Sequence, residues 1–171
     1  ARALVHLYPD YFSGRGRTRS LVNITLELTY RCNWKCNFCF LRDNVLNRQV
    51  EELSHDEVLD IVDEAARHGL SFFITGGEPF VRRDCVDIIR AIKERGLKVG
   101  VNTNQSCLSD RDIDELQDIG LDYVISSLHG PREVHNAVTG GATFDRAMSR
   151  LRYWKRRPSR TRVLINHVIT P

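Results

Sequence analysis

Three of the five cysteines fall within one short segment, Cys32-Asn33-Trp34-Lys35-Cys36-Asn37-Phe38-Cys39. The spacing is C-x3-C-x2-C, with no fourth cysteine nearby. Such packing is unlike a disulfide framework and, in a reducing compartment, reads as a metal or redox site. Thiolates suit zinc and iron–sulfur clusters. A structural zinc ion wants four closed ligands, so a zinc knuckle here needs a distant histidine. A 4Fe–4S cluster held by three thiolates instead leaves one iron open to bind and activate a further molecule. A second motif, Thr75-Gly76-Gly77-Glu78-Pro79, follows later. Taken alone it is a strand-to-helix turn, for which glycine is the usual residue. Cys85 and Cys107 stand singly and read as packing residues.

Both motifs need a scaffold, and the chain has a repeating one. Gly69-Leu70-Ser71-Phe72-Phe73-Ile74, Gly96-Leu97-Lys98-Val99-Gly100-Val101 and Gly120-Leu121-Asp122-Tyr123-Val124-Ile125 resemble one another. Each begins with a glycine suited to ending a helix and continues as a short apolar strand. Helix starts precede them. Ser54-His55-Asp56-Glu57 is a capping box, Asp84 opens a second helix and Ser109 a third. A fourth helix is expected over Phe144 to Trp154 and a last strand over Arg162 to Ile169. The first strand alternates Val22, Ile24, Leu26 and Leu28 with Asn23, Thr25, Glu27 and Thr29. A strand buried on both faces would be apolar throughout. One polar face suits a curved sheet with helices outside and a polar lumen inside. The reading is α/β, an incomplete TIM-type (β/α) barrel of five parallel strands and four helices. The cysteine loop and the glycine motif then sit at the C-terminal ends of the first and second strands, where such folds place their chemistry.

Cys-x3-Cys-x2-Cys after a first strand, with Thr75-Gly76-Gly77-Glu78-Pro79 after the second, resembles the radical S-adenosylmethionine (SAM) superfamily. The lead-in Leu26-Glu27-Leu28-Thr29-Tyr30-Arg31-Cys32-Asn33 is similar to the branch holding peptide-modifying enzymes and the molybdenum-cofactor cyclase. The likeness covers about residues 20 to 170.

The resemblance implies that Cys32, Cys36 and Cys39 hold a 4Fe–4S cluster whose open iron chelates SAM. Reductive cleavage of SAM then yields a 5′-deoxyadenosyl radical that abstracts hydrogen from an organic substrate. The cofactor carries that chemistry, and the protein orients it and excludes water. Gly76 and Gly77 are expected to let the backbone approach the methionyl ammonium, and a side chain at Gly77 to block SAM while sparing the cluster. Glu78 either joins that contact or braces the loop. Phe38 is expected near the adenine, and Asn102 and Asn104 near the ribose. Strand alternation lets only one of Ser126 and Ser127 face inward, and Ser126 is preferred. Asn166 is expected at the adenine or methionyl group. Ser127-Leu128-His129-Gly130-Pro131, then His135, then Thr139-Gly140, resembles the family's fourth-strand loop, although related enzymes often carry aspartate where this chain has His129. A peptide or protein side chain is the favoured substrate. A small cofactor precursor, nucleotide or sugar is the alternative, and a non-catalytic zinc or iron–sulfur protein is the rival from another class. A flavodoxin or ferredoxin is the implied electron donor.

Bulk properties agree with an ordinary globular domain: 42% apolar and 27% charged residues in a chain of 171. The net charge of +3, with no long basic tract, does not imply a nucleic-acid partner. No apolar run approaches a membrane span and no signal peptide is visible, so a cytoplasmic location is expected. The expected organisation is a lead-in over residues 1–20 and a core over 21–171 that lacks the C-terminal portion of its barrel.

Overall fold

The computed structural model describes residues 23–41 and 51–169. Its elements run β1 (Asn23–Thr29), α1 (His55–His68), β2 (Ser71–Gly76), a 3-10 turn (Pro79–Val81), α2 (Cys85–Glu94), β3 (Val99–Thr103), α3 (Asp110–Ile119), β4 (Tyr123–Ser127), α4 (Arg132–Thr139), α5 (Phe144–Trp154) and β5 (Arg162–Asn166). The five strands form one parallel sheet in the order β1-β2-β3-β4-β5, which does not close. A strand order that never reverses is that of a barrel wall; a doubly wound sheet reverses at a switch point. The 1–20 lead-in lies outside the described residues. Among those described, no helix is long and apolar enough to cross a membrane.

Two expectations needed correction. The last strand ends at Asn166 and not at Ile169. The 128–140 stretch holds a short helix, α4, which starts after Pro131 and ends at Gly140 in the left-handed region. Among the described residues there are therefore five α-helices, one more than the sequence pattern suggests.

Local chemistry explains the helix ends. At α1 the Ser54 hydroxyl accepts from the Glu57 N–H, and the Glu57 carboxylate accepts from the Ser54 N–H at 2.8 Å. Ser109 and Asp112 repeat this box at α3. Gly69 and Gly120 close the two helices with φ of 63° and 82°. Asp84 stands at the N-cap of α2, as expected, but its side chain makes no cap hydrogen bond. Its carboxylate instead accepts from the Arg82 guanidinium at 2.9 and 2.6 Å and contacts His55 Nδ1 at 3.2 Å. Hydrogen bonding to Arg82 holds the Asp84 carboxyl down at about 2. Arg82 also donates to the Leu28 and Leu53 carbonyls, so it ties the end of β1 to the entries of α1 and α2.

The sheet's helix-facing side carries the core. Leu26, Leu28, Phe72, Ile74, Val99, Val101 and Val124 pack beneath Val58 and Val62 of α1, Ile88 and Ile92 of α2, and Ile113 and Leu116 of α3. Burial of each such side chain contributes about 1.5–3 kcal/mol. The other face is the open lumen, and Asn23, Thr25 and Glu27 are exposed on it. Across its lower layer Phe73, Gly100, Tyr123 and Arg162 are successive register partners. The Tyr123 ring fills the space above Gly100, where an added Cβ would come within 2.0 Å of it. That ring stacks on Phe73 at 6.2 Å between centroids, and the Arg162 guanidinium lies 5.7 Å from its centre.

Gly100→Ala is expected to displace this ring and destabilise the fold by about 1–3 kcal/mol. In a Tyr123→Leu background the same change should cost clearly less. Urea unfolding of the four proteins measures this, and an equal cost in both backgrounds would remove Tyr123 as the reason for the glycine.

Candidate active site

The three cysteines lie on the loop that leaves the C-terminal end of β1, and each is partly buried with a free thiol. This loop has no regular backbone ladder, so its shape comes from bonds supplied by other elements. From the end of β2, the Gly77 N–H donates to the Thr29 carbonyl at 2.7 Å and the Glu78 N–H to the Arg31 carbonyl at 2.9 Å. From below, α4 offers its last carbonyls: Thr139 accepts from the Lys35 N–H at 3.2 Å and Val138 from the Asn37 N–H at 2.9 Å. Helix C-terminal carbonyls lack intrahelical partners, and the cysteine loop satisfies two of them. Rings complete the seat. Phe38 meets His129 edge-on at 4.8 Å and Trp34 meets His135 edge-on at 5.3 Å.

Close approach dictates the glycines. A Cβ at Gly76, whose φ is 121°, would lie 2.3 Å from the Thr29 carbonyl oxygen. One at Gly77 would lie 2.3 Å from the Arg31 carbonyl oxygen. Backbone at that distance cannot yield cheaply. A side chain at Gly77 would therefore strike the backbone of the residue before Cys32, so such a change is expected to disturb the cysteine loop as well as the approach of SAM.

Glu78 is fully buried. Its carboxylate accepts from the Thr103 hydroxyl and the Asn104 N–H, both at 2.7 Å, and from the Phe80 N–H at 3.1 Å. Of the two roles left open for it, the contacts are those of a brace between the ends of β2 and β3. Burial pushes its carboxyl up to about 7, and the three donors oppose that rise.

The remaining strand ends divide unevenly. Asn102 is partly buried on the lumen face, and its Oδ1 has no hydrogen-bond partner. Asn104 is buried with its side chain committed to Asn33 and Ser106. Ser126 is fully buried in register with Thr103, on the same side of its strand as the core residue Val124. The inward serine is therefore Ser127, in register with Asn166, and the preference for Ser126 is corrected. The alternation was sound, but its phase depends on Val124 and Ser126 packing under the helices. Asn166 is exposed at the last position of β5.

The histidines join β4, α4 and β5. His129 Nδ1 accepts from the Val168 N–H at 3.2 Å, and His135 Nδ1 accepts from the His129 N–H at 3.0 Å. His167 Nδ1 contacts the Leu128 carbonyl at 2.9 Å. Burial, aided by His135 and His167, pushes His129 down to about 4, so its ring is neutral near pH 7. Asn33, Ser106, Gln105 and the α4 carbonyls support the site without a sequence motif to announce them. Gln105 is the non-glycine residue with positive φ, 65°, among the described residues; its buried side chain accepts from Trp154 Nε1 at 2.9 Å.

The thiol set suits a polynuclear cluster. Burial first, and then the charges of Cys32 and Cys39, push the Cys36 thiol up to about 12. Three thiolates so placed demand a compensating cationic centre. Three cysteines on one loop are a donor set that a cuboidal cluster would take, one thiolate to each of three irons. Cys85 is fully buried, and burial raises its thiol well above the usual value, as expected of a packing residue.

A partial parallel barrel with a three-cysteine loop clasped by a Gly-Gly-Glu strand end defines a class of protein, and comparison with known proteins gives the same one. The sequence profile of the Radical SAM superfamily matches residues 26–171, and the chain belongs to that family of enzymes. Its members use a 4Fe–4S cluster and SAM. The chain is 36% identical over 137 residues to a probable GTP 3′,8-cyclase of Saccharolobus solfataricus, which covers 76% of this chain and 42% of that protein. It is 33% identical over 119 residues to the tungsten-containing aldehyde ferredoxin oxidoreductase cofactor-modifying protein of Pyrococcus furiosus, covering 68% of this chain and 33% of that one. The chain thus spans less than half the length of these relatives. Similar folds include Streptococcus suis SuiB bound to S-adenosylmethionine, with a TM-score of 0.73 at 20% identity over 95% of this chain and 37% of SuiB. Native anSMEcpe with bound AdoMet gives 0.68 at 23% identity over 84% of this chain and 43% of that one.

Two outcomes follow from the geometry. Gly77→Ala should lose iron loading almost as fully as a cysteine change, because Arg31 must move; normal loading with normal SAM binding would show that the clasp is not needed. Glu78 gives a signed pH dependence. Its folded value of about 7 exceeds the ordinary 4.5, so the folded state binds more protons between them. The stability that Glu78 contributes is therefore fully present below about 4.5 and is lost as pH rises through about 7, by on the order of 3 kcal/mol. In metal-free protein, the difference between the wild-type and Glu78→Gln unfolding profiles should carry this slope. Parallel profiles would mean that Glu78 does not titrate in this window.

Proposed function

We propose that this chain forms the cluster- and SAM-binding part of a radical enzyme, with Cys32, Cys36 and Cys39 as the thiolate ligands of a 4Fe–4S cluster. The observation that carries the reading is the pair of backbone bonds joining the stem of the cysteine loop to Gly77 and Glu78. They make one site of two motifs that the sequence keeps far apart. The chemistry supplied by the bound pair is reductive cleavage of the sulfonium C–S bond and hydrogen abstraction from an organic substrate.

The chain's own residues bind and orient. Gly76 and Gly77 keep the end of β2 free of side chains beside the loop, leaving backbone groups to meet the methionyl moiety. Phe38, held edge-on by His129, offers an apolar edge for the adenine. Asn102, Ser127 and Asn166 supply polar groups from three strand ends; the unpartnered Oδ1 of Asn102 suits a ribose hydroxyl donor. Glu78 acts through Asn104 and Thr103 and does not touch SAM.

For the substrate we favour a small cofactor precursor of nucleotide type. The relatives at 33–36% identity bear names of cofactor chemistry. A peptide side chain, favoured by the lead-in to Cys32, is the second reading. The neighbours that resemble this chain in shape near 20% identity share its fold, which does not itself carry a substrate. A flavodoxin or ferredoxin in the cytoplasm is the electron donor in either case.

Anaerobic reconstitution should load about four irons per chain. Cys32→Ala, Cys36→Ala and Cys39→Ala should each abolish loading, whereas Cys85→Ala and Cys107→Ala should not. Adding SAM should then shift the spectrum of the reduced cluster. Loss of iron in Cys107→Ala equal to that in Cys36→Ala would overturn the ligand set. In the full-length protein, 5′-deoxyadenosine release stimulated by purine nucleotides and not by peptides would support the favoured substrate, and the reverse would replace it.

A further inference from the structure

The expected place of Asn104 is the ribose, yet its backbone N–H and its side-chain amide are engaged elsewhere. Its backbone N–H donates to the Glu78 carboxylate at 2.7 Å. Its Oδ1 accepts from both the N–H and the hydroxyl of Ser106, at 2.9 and 2.6 Å. That fixes the amide orientation, because a flipped group would face the Ser106 N–H with another donor. The two Nδ2 hydrogens therefore point the other way, toward Asn33 Oδ1 at 2.9 Å and the Cys32 sulfur at 3.9 Å. Asn33 in turn donates to the Ser106 hydroxyl, which closes the ring of contacts. The Cys32 sulfur also accepts from the Trp34 N–H at 3.4 Å. Among the described residues, no side chain donates to the sulfur of Cys36 or Cys39. The three thiols are chemically unequal, and the inequality is built from β3.

We infer that Asn104 is a positioning residue that sets the reduction potential at the Cys32 corner of the site. The inference rests on the cluster reading above. An electron added to an iron–sulfur cluster increases the negative charge on its thiolates. A hydrogen-bond donor aimed at one thiolate stabilises that reduced state and raises the potential. Asn104 is only 6% exposed, so water does not replace the lost donor. The fully buried Glu78 fixes the Asn104 backbone, and Ser106 fixes its rotation. The third strand thereby tunes the ease of one-electron reduction without contacting SAM.

The test uses anaerobically reconstituted protein and a potentiometric titration with a chemical one-electron reductant, followed by electron paramagnetic resonance. Asn104→Leu removes the donor, and the near-isosteric Asn104→Asp replaces it with a negative oxygen. Both should keep the wild-type iron content. Both should shift the midpoint to more negative potential by at least a tenfold change in the one-electron equilibrium, about 59 mV. Ser106→Ala, which leaves the donor in place, should shift it clearly less. Unchanged potentials in both Asn104 variants would overturn the inference while leaving the cluster reading intact. Loss of iron from both Asn104 variants, with Ser106→Ala still loaded, would also overturn it and make Asn104 a loop support only. A wild-type chain that takes up no cluster would sink the cluster reading and this inference together.

Discussion

The site depends on how closely the second strand's end can approach the stem of the cysteine loop. Two backbone hydrogen bonds, from Gly77 to Thr29 and from Glu78 to Arg31, fasten them. They form only because positions 76 and 77 lack a Cβ, which would otherwise fall 2.3 Å from a carbonyl oxygen at either position. The cysteine loop has no ladder of its own, so this clasp decides where Cys32 begins. The buried Arg82 acts just behind it, holding the Leu28 carbonyl and the Asp84 carboxylate, so the clasp has a rigid base.

From that clasp the arrangement spreads outward. Glu78, the residue after the glycines, turns inward and holds the end of β3. The end of β3 then reaches back through Asn104 and Asn33 to the first cysteine. On the other side the loop lies over the C-terminus of α4, whose last carbonyls it satisfies. Each contact uses a polar group that would otherwise be stranded: a buried carboxylate, helix-terminal carbonyls or a side-chain amide. The loop is therefore ordered by the unmet bonding needs of its neighbours.

The electrostatics agree with this economy. Burial and mutual repulsion raise the Cys36 thiol, and burial raises Glu78, so the metal-free site is poor in charge compensation. The 4Fe–4S cluster that members of the family use would supply that compensation at Cys32, Cys36 and Cys39. The neutral, buried His129 adds no competing positive charge beside Phe38.

Much of this was legible in the amino-acid order. The cysteine spacing, the Gly-Gly-Glu strand end, the capping boxes at Ser54 and Ser109 and the polar alternation of β1 are local patterns, and local patterns carry helix ends, strand faces and ligand types. The family followed from two motifs in the right order. What the order of residues did not reveal is of another kind. The phase of β4, which turns Ser127 inward and buries Ser126, depends on what α3 and α5 press against it. The commitment of Asn104 depends on Asn33 and Ser106 arriving from different loops, and that of Asp84 on Arg82 and His55. The reason for Gly77 is a carbonyl some forty-five residues earlier in the chain. The sequence by itself determined which groups are available and on which elements they ride, because periodicity and capping act over a few residues. The tertiary structure decided which of those groups are already engaged, because burial leaves no polar atom free to wait for a ligand unless nothing in the fold can reach it.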